Sequence, residues 1–209
     1  MNAQTERLER TGPAGRIQVL RDQPEGTPRG TAFIAHPHPL FGGTMDNKVV
    51  QTLARAFVQG GWTAVRFNFR GVGTSEGVHD EGIGEAADLQ ALIGDLAPEG
   101  PIALAGFSFG AYVAAQAVQA LWDSRDIRFV VLVGTAAARF TVPPLPPEAH
   151  DRALVIHGEQ DETVPLAAVL DWARPQTLPV TVVPAVEHFF HGQLPLLKNL
   201  VVRHLRTHG

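Results

Sequence analysis

The chain has 209 residues, of which 44% are apolar, and a formal net charge of −4 at pH 7. This length fits one α/β domain spanning residues 1–209, and the apolar content is enough for a substantial core. The sequence contains no cysteine, which excludes disulfides, thiolate metal ligands and a cysteine nucleophile. The charged residues are scattered, so no basic stripe points to nucleic acid and no polybasic segment points to an anionic membrane.

No segment is predicted to direct the chain into or across a membrane. Residues 1–15 are polar and charged and lack the apolar core of a secretory signal. No run approaches the roughly 18 uninterrupted apolar residues of a membrane-spanning helix. We therefore expect a cytoplasmic monomer or homodimer whose partner is a small molecule.

Short apolar runs alternate with longer amphipathic segments along the chain, a pattern typical of βαβ units and a mostly parallel sheet. An antiparallel hairpin is predicted first, at the sheet edge, with arms at 7–11 and 16–22. The later strands are near-continuous apolar runs, which indicates that helices cover both faces of a sheet of about seven or eight strands. The predicted strands after the hairpin are 31–36, 64–69, 102–107, 129–134, 153–157 and 180–184. The predicted helices are 46–60, with Asp46 as its N-cap, 83–96, 109–121 and 194–206.

The pentapeptide Gly106-Phe-Ser-Phe-Gly110 joins a predicted strand to a predicted helix and has the form G-x-S-x-G. At such a turn the central serine is held in a strained conformation above the sheet edge, and a Cβ at either glycine would collide with the adjoining strand or helix. The helix N-terminus favours negative charge that develops beside it. The sequence therefore predicts Ser108 as a nucleophile, with the backbone N–H of Phe109 as one oxyanion donor. A serine N-cap between two packing glycines is the structural alternative.

The carboxylate partner is predicted from chain order. A serine nucleophile needs a histidine base oriented by a carboxylate, and in this type of sheet the order is Ser, then Asp or Glu, then His. Asp161 closely follows the strand predicted at 153–157, at the sheet edge where open α/β proteins place their sites. Glu159 and Glu162 are close competitors. We favour Asp161 because a Val-Pro pair fixes the loop after it and its short side chain orients an imidazole more tightly; a solvated loop acid is the structural alternative.

The loop after the last predicted strand offers two histidines as the base, His188 and His191. His188 comes soon after Pro184 and is followed by two phenylalanines that can pack the loop. We predict His188 as the general base. His191 is the alternative base or a helix-capping residue.

The segment 36–43 follows the first strand after the hairpin and leads into a helix, the position that normally supplies a second oxyanion N–H. His38 is predicted as this donor through its backbone, because Pro37 and Pro39 have no N–H. Leu40 is the alternative donor. The two glycines that end the segment allow the backbone to approach a substrate closely.

No metal and no cofactor are predicted. His36 and His38 have no carboxylate at ligand spacing beside them, so we expect His36 to make hydrogen bonds within its loop. The loop 70–77 departs from the G-x-G-x-x-G spacing of dinucleotide sites, and Glu76 occupies the place of the third glycine. Its charge would repel a pyrophosphate. We interpret this segment as a structural loop beside the active site.

Five sequence blocks span most of the chain: His-Pro-His-Pro at 36–39, Arg-Gly-Val-Gly-Thr-Ser at 70–75, Gly-Phe-Ser-Phe-Gly at 106–110, His-Gly-Glu-Gln-Asp at 157–161 and Glu-His-Phe-Phe at 187–190. In this order they resemble the α/β-hydrolase superfamily. Within it, the chain is similar to the small, lidless bacterial serine hydrolases described as dienelactone-hydrolase-like. The resemblance implies an α/β-hydrolase fold and a triad of Ser108, Asp161 and His188. It also implies oxyanion donors near His38 and Phe109.

The predicted reaction is hydrolysis of carboxylic esters with small or exposed acyl groups. The segment 135–152, where such enzymes can insert a lid, is too short for a lid domain, and an open site suits such substrates. Dienelactone hydrolases proper use a cysteine nucleophile, so dienelactones are not expected substrates. The residues predicted to bind substrate are Leu40, Phe41 and Phe189, while Phe107 and Phe109 fit either the same pocket or ordinary core packing.

Two other functions are compatible with the sequence. A thioesterase or a short-peptide hydrolase would use the same triad and differ only in the leaving group. A catalytically silent binding protein with a hydrolase fold belongs to another class, and such proteins usually lose a triad member.

Overall fold

Eight β-strands and five α-helices occur in the described part of the chain, residues 5–207 of the computed structural model. The strands are β1 (Glu6–Gly12), β2 (Gly15–Asp22), β3 (Thr31–Ala35), β4 (Thr63–Phe67), β5 (Ile102–Phe107), β6 (Ile127–Val133), β7 (Ala153–Gly158) and β8 (Val180–Val183). The helices are α1 (Lys48–Gln59), α2 (Ile83–Leu96), α3 (Phe109–Leu121), α4 (Leu166–Ala173) and α5 (Leu194–Thr207). The described residues exclude 1–4 and 208–209. Residues 1–4 belong to the N-terminal segment for which no secretory signal is predicted.

The strands form one sheet in the order β1-β2-β4-β3-β5-β6-β7-β8. The predicted hairpin β1–β2 lies at one edge, and β2 pairs antiparallel with β4. The pairings from β4 and β3 through to β8 are parallel. From the centre the chain adds β4 on one side of β3, and then β5 to β8 on the other. The loops after β3 and β5 are therefore neighbours at the carboxyl edge, where sheets of this kind bind ligands.

Helices cover both faces of the sheet. Apolar side chains of α2, α3 and α4 pack on one face, and those of α1 and α5 pack on the other. Every residue of β5 is buried, which explains why this strand reads as a continuous apolar run rather than an alternating one. The predicted α/β architecture, a mostly parallel sheet with two helical layers and no lid, is confirmed. The described segment between β6 and β7 contains a short 3-10 helix at Pro147–Arg152.

One local prediction is wrong, and one helix was not predicted. Asn47, not Asp46, is the N-cap of α1, because its side chain accepts hydrogen bonds from the N–H groups of Val49 and Val50. Helix α4 has no counterpart among the predicted elements. Its eight residues are too few for the helical period of apolar residues to stand out.

No helix within residues 5–207 has both the length and the apolar character needed to cross a membrane.

Candidate active site

Ser108 is the single residue between the end of β5 and the start of α3. Its backbone has φ 57° and ψ −116°, a conformation that residues other than glycine rarely adopt. Such strain persists only where the surrounding structure enforces it, and it concentrates at functional sites. The turn holds Ser108 at the N-terminus of α3, as the sequence predicts.

The flanking glycines let this turn form. A Cβ on Gly106 would lie 2.1 Å from the carbonyl oxygen of Gly110, and a Cβ on Gly110 would lie 2.3 Å from the carbonyl oxygen of Ala35. Both distances are far below van der Waals contact. The first glycine therefore allows the helix to start directly above the strand, and the second allows it to pack against β3.

A chain of two hydrogen bonds joins the three residues predicted as a triad. Nε2 of His188 lies 3.0 Å from Oγ of Ser108, and Nδ1 lies 2.6 Å from Oδ2 of Asp161. All three residues are buried. The carboxylate accepts a hydrogen bond from the N–H at Nδ1, so Nε2 is the ring nitrogen that is free to accept from the serine hydroxyl. The structure brings the three together; their catalytic role remains a prediction.

The loop after β7 fixes the carboxylate of Asp161. Its Oδ1 accepts hydrogen bonds from the N–H groups of Thr163 at 2.9 Å and Val164 at 2.7 Å, which leaves Oδ2 for His188. The same loop is also held by His157, whose Nε2 donates a hydrogen bond to the carbonyl of Val164 at 2.9 Å. Burial lowers the pKa of His157 below its usual value, so its ring stays neutral.

The competing carboxylates lie elsewhere. Glu159 is exposed, and its Oε2 accepts the N–H of Ala185 at 2.9 Å. Glu162 is also exposed. Of the three acids considered from the sequence, Asp161 is the one that the fold turns toward His188.

Glu187 organises the loop that carries His188. Its carboxylate accepts the N–H groups of Phe189 at 2.9 Å and His191 at 2.7 Å. Burial raises the pKa of Glu187, but these hydrogen bonds and the adjacent His191 lower it by more, so the net pKa lies below its usual value. The ring of His191, the alternative base, is mostly exposed and lies 3.0 Å from Glu187 instead of Ser108.

The predicted oxyanion donors follow β3 and β5, two neighbouring strands between which the chain changes the direction in which it adds strands to the sheet. Ala35 at the end of β3 pairs with Gly106 on β5, so the loops that follow the two strands meet. The rings of His38 and Phe109 are 4.9 Å apart between centroids. The N–H of Leu40, the alternative donor, is engaged within its own loop because it lies 3.3 Å from Nδ1 of His38. The oxyanion roles of His38 and Phe109 stay predictions.

His36 makes loop hydrogen bonds, as expected. Its Nε2 accepts the N–H of Phe69 at 3.0 Å, and its Nδ1 donates to the carbonyl of Pro37 at 2.6 Å. Burial lowers the pKa of His36 to about 4, so it is neutral at physiological pH. No group of three potential metal-ligating side chains was found among the described residues.

A cavity of about 320 Å³ opens in front of Ser108. Phe41 and Phe189, which we expected to bind substrate, line it together with Phe109. Leu40 is 69% exposed and does not contribute to its wall, and Phe107 is fully buried in the core. The wall also contains residues that the sequence did not suggest, notably Asn47, Arg139, Phe140 and Thr163. Arg139 could have been suggested by its place in the sequence, because it lies in the loop that follows β6 and such loops meet at the carboxyl edge of the sheet.

A second cavity, of about 370 Å³, lies beside α1 and is lined in part by Asp22, Arg55 and Arg66. It contains none of the residues predicted to be catalytic. Its most buried charge, Arg66, is already paired with Asp22 at 3.1 Å. The cavity beside Ser108 is therefore the candidate active site.

No family model matches the chain. The structure is similar to an α/β serine hydrolase without a lid from Xanthomonas campestris, with 37% identity, a TM-score of 0.86 and coverage of 99% of this chain and 96% of that one. It is also similar to an α/β serine hydrolase homologue from Coxiella burnetii, with 38% identity, a TM-score of 0.83 and coverage of 96% and 97%. An uncharacterized protein of Rickettsia prowazekii is 42% identical over 111 residues, 51% of this chain and 47% of that protein. The match thus spans about half the length of this curated relative.

Proposed function

The chain belongs to the α/β serine hydrolases without a lid, and on that premise we propose that it hydrolyses carboxylic esters of small or exposed acyl groups. The reaction proceeds through a covalent acyl-enzyme, with Ser108 as nucleophile, His188 as general base and Asp161 as the carboxylate that orients the base. General hydrolase activity follows from the family. The triad and the ester class are the parts proposed.

One observation carries the proposal. The hydrogen bonds from Asp161 to His188 and from His188 to Ser108 are continuous, at 2.6 and 3.0 Å, and end at a strained serine that faces a cavity. A serine N-cap, the structural alternative, would use its hydroxyl on the helix backbone, but the side chain of Ser108 makes no capping hydrogen bond to α3.

Acylation begins when Oγ of Ser108 attacks the acyl carbon while Nε2 of His188 takes the hydroxyl proton. The imidazolium that forms is stabilised by Asp161, whose other oxygen is fixed by two backbone N–H groups. The resulting oxyanion is stabilised by the N–H of Phe109 at the start of α3 and by the N–H of His38. Nε2 then returns the proton to the leaving alcohol, and the acyl-enzyme remains.

Deacylation repeats these steps with water as the nucleophile. His188 takes a proton from water as its oxygen attacks the ester carbon, and returns it to Oγ when the acid leaves. No lid covers the described part of the site, so water has direct access. This openness suits small or exposed acyl groups, which need not be enclosed.

Labelling with a fluorophosphonate probe, followed by peptide mass spectrometry, tests the proposal. We expect modification of Ser108 in the native protein and a loss of turnover of an activated ester by about 10⁴-fold or more in Ser108→Ala. Ser124→Ala is the matched control, because this serine is exposed and its hydroxyl contacts only the carbonyl of Leu121. The control should label and turn over like the native protein.

Unchanged turnover in Ser108→Ala would overturn the assignment of the nucleophile. Folded protein that is not labelled would favour the silent binding protein. Matched oxygen esters, thioesters and amides of one acyl group then test the ester class. Faster turnover of the thioester or the amide would replace it with thioesterase or peptidase activity.

A further inference from the structure

The cavity in front of Ser108 is lined by hydrogen-bond donors and by no carboxylate among its described residues. Its polar side chains other than Ser108 and His188 are His38, Asn47, Arg139 and Thr163. Most of the remaining wall is aromatic or aliphatic. An alkyl acyl group offers no hydrogen-bond acceptor or negative charge to a guanidinium. The presence of Arg139 in the wall therefore suggests a substrate with a polar or charged acyl part.

Arg139 has no ionic partner in the described part of the chain. No carboxylate oxygen of residues 5–207 lies within 4 Å of its guanidinium, whereas Arg66, Arg70, Arg128 and Arg174 each have a carboxylate partner. Its guanidinium lies over the ring of Phe41, 5.4 Å from the centroid, in a cation–π contact. Its backbone is held in the turn after β6, where its N–H donates to the carbonyl of Ala136 at 3.2 Å. Arg139 is thus an exposed cation that borders the cavity and rests on Phe41, and no carboxylate of the described residues is paired with its guanidinium.

Two further residues present donors to the same space. Oδ1 of Asn47 accepts hydrogen bonds from the helix backbone, which leaves its NH₂ group available as a donor. Nδ1 of His38 accepts the N–H of Leu40, so Nε2 carries the proton. Burial lowers the pKa of His38, and the nearby His79 and Arg139 lower it further, while Glu81 and Glu85 raise it. The net pKa lies below its usual value, which keeps the ring neutral.

Negatively charged side chains line a separate, more open concavity on the other side of His188. Glu159, Glu162 and Glu187 contribute to that surface, and Ser108 and Arg139 do not. The two spaces share Thr163, His188 and Phe189, so the reacting centre separates a cationic side from an acidic side. A substrate with a negative group is attracted to the side of Ser108 and repelled from the other.

We propose that the site prefers esters whose acyl part carries a carboxylate, which Arg139 binds at the wall of the cavity. This inference rests on the proposed esterase function and names its substrate class. The planar guanidinium matches a carboxylate with two parallel N–H donors, a geometry that a lysine cannot reproduce. A volume of about 320 Å³ accommodates a short acyl chain with a terminal carboxylate.

The test compares two activated esters of equal chain length, 4-nitrophenyl hemiadipate and 4-nitrophenyl hexanoate. We expect the native protein to hydrolyse the anionic ester with a kcat/KM about tenfold above that of the neutral one. In Arg139→Gln this ratio falls about tenfold, mainly through the KM of the anionic ester. Arg139→Lys retains part of it. Higher salt lowers the ratio in the native protein because an exposed ion pair is screened.

Arg174→Gln is the matched control, because it removes the same charge from an exposed surface pair with Asp171. It leaves the ratio unchanged. A native protein that prefers the hexanoate, or an Arg139→Gln variant with the native ratio, would overturn this inference while hydrolysis of the hexanoate upholds the esterase function. If neither ester is hydrolysed and Ser108 is not labelled, the proposed function itself fails and this inference fails with it.

Discussion

The loops after β3 and β8 each bring a pair of histidines to the same edge of the sheet, and in each pair the first ring is buried and the second is more exposed. Both nitrogens of His36 face the backbone, one accepting from Phe69 and the other donating to Pro37. Both nitrogens of His188 face side chains that carry a carboxylate and a hydroxyl. The two buried imidazoles are thus equally shielded but have different partners.

This difference separates a structural histidine from one that can transfer a proton. A backbone carbonyl and a backbone N–H neither gain nor lose protons in water, so they hold a ring without activating it. Burial lowers the pKa of His36 to about 4 and keeps it neutral. His188 instead has a carboxylate at one ring nitrogen and a hydroxyl at the other, the two partners that a proton transfer from serine requires.

Removing the ring of His188 should give the largest effect on activity. We expect His188→Ala to lower kcat for an activated ester by about 10⁴-fold or more, because Ser108 then has no base. The fold should remain, since the ring bonds only to side chains of the site. Steady-state kinetics and thermal unfolding of the variant check both statements.

His191→Ala is the control from the same loop. Its exposed ring contacts Glu187 at the surface, so the variant should keep kcat within a small factor of the native value. Equal losses in the two variants would break the comparison, since burial and partners would then not identify the base.

Removing the ring of His36 should change the free energy of unfolding and its dependence on pH. The folded protein holds the pKa of His36 at about 4, whereas the unfolded chain has the usual value near 6.5. As the pH falls below 6.5, the unfolded chain takes up this proton first, so the free energy of unfolding decreases until about pH 4. The shift corresponds to about 3 kcal/mol over this window, with His157 acting in the same direction.

His36→Gln removes the titrating ring and keeps an amide that can bond the same backbone. We expect a loss of about 1–3 kcal/mol at pH 7 from the imperfect hydrogen bonds, and a shallower decline in stability between pH 6.5 and 4. Urea unfolding at several pH values measures both. A pH profile of His36→Gln identical to that of the native protein would refute the burial argument.

Glu187→Gln should give the smallest effect. The carboxylate holds the loop of His188 through two backbone N–H groups and touches no reacting atom. An amide oxygen retains part of this support, so we expect kcat to fall by less than about tenfold with little change in KM, which is a rise of less than about 1.4 kcal/mol in the activation free energy. Glu187→Ala should cost more than Glu187→Gln. The reverse order would mean that the loop does not depend on these bonds.

Local sequence was sufficient wherever neighbours in the chain decide the structure. The turn at Ser108 follows from the two glycines between a strand and a helix, because each Cβ would strike backbone within a few ångströms. The bounds of α2 and α3 matched their predicted ranges. The N-cap of α1 did not, since Asp46 and Asn47 are both good caps and one residue of register separates them.

The sequence by itself determined the order of the eight strands and of four of the five helices, the turn at Ser108 and a short list of candidate acids and bases. Only the tertiary structure decided among Asp161, Glu159 and Glu162, and placed Arg139 in the same cavity as Ser108. The physical reason is distance along the chain: Ser108 and His188 are 80 positions apart, and their contact exists only when β5 and β8 lie in one sheet. Hydrophobic periodicity records which face of an element is buried, but not which side chains meet across the loops of different strands.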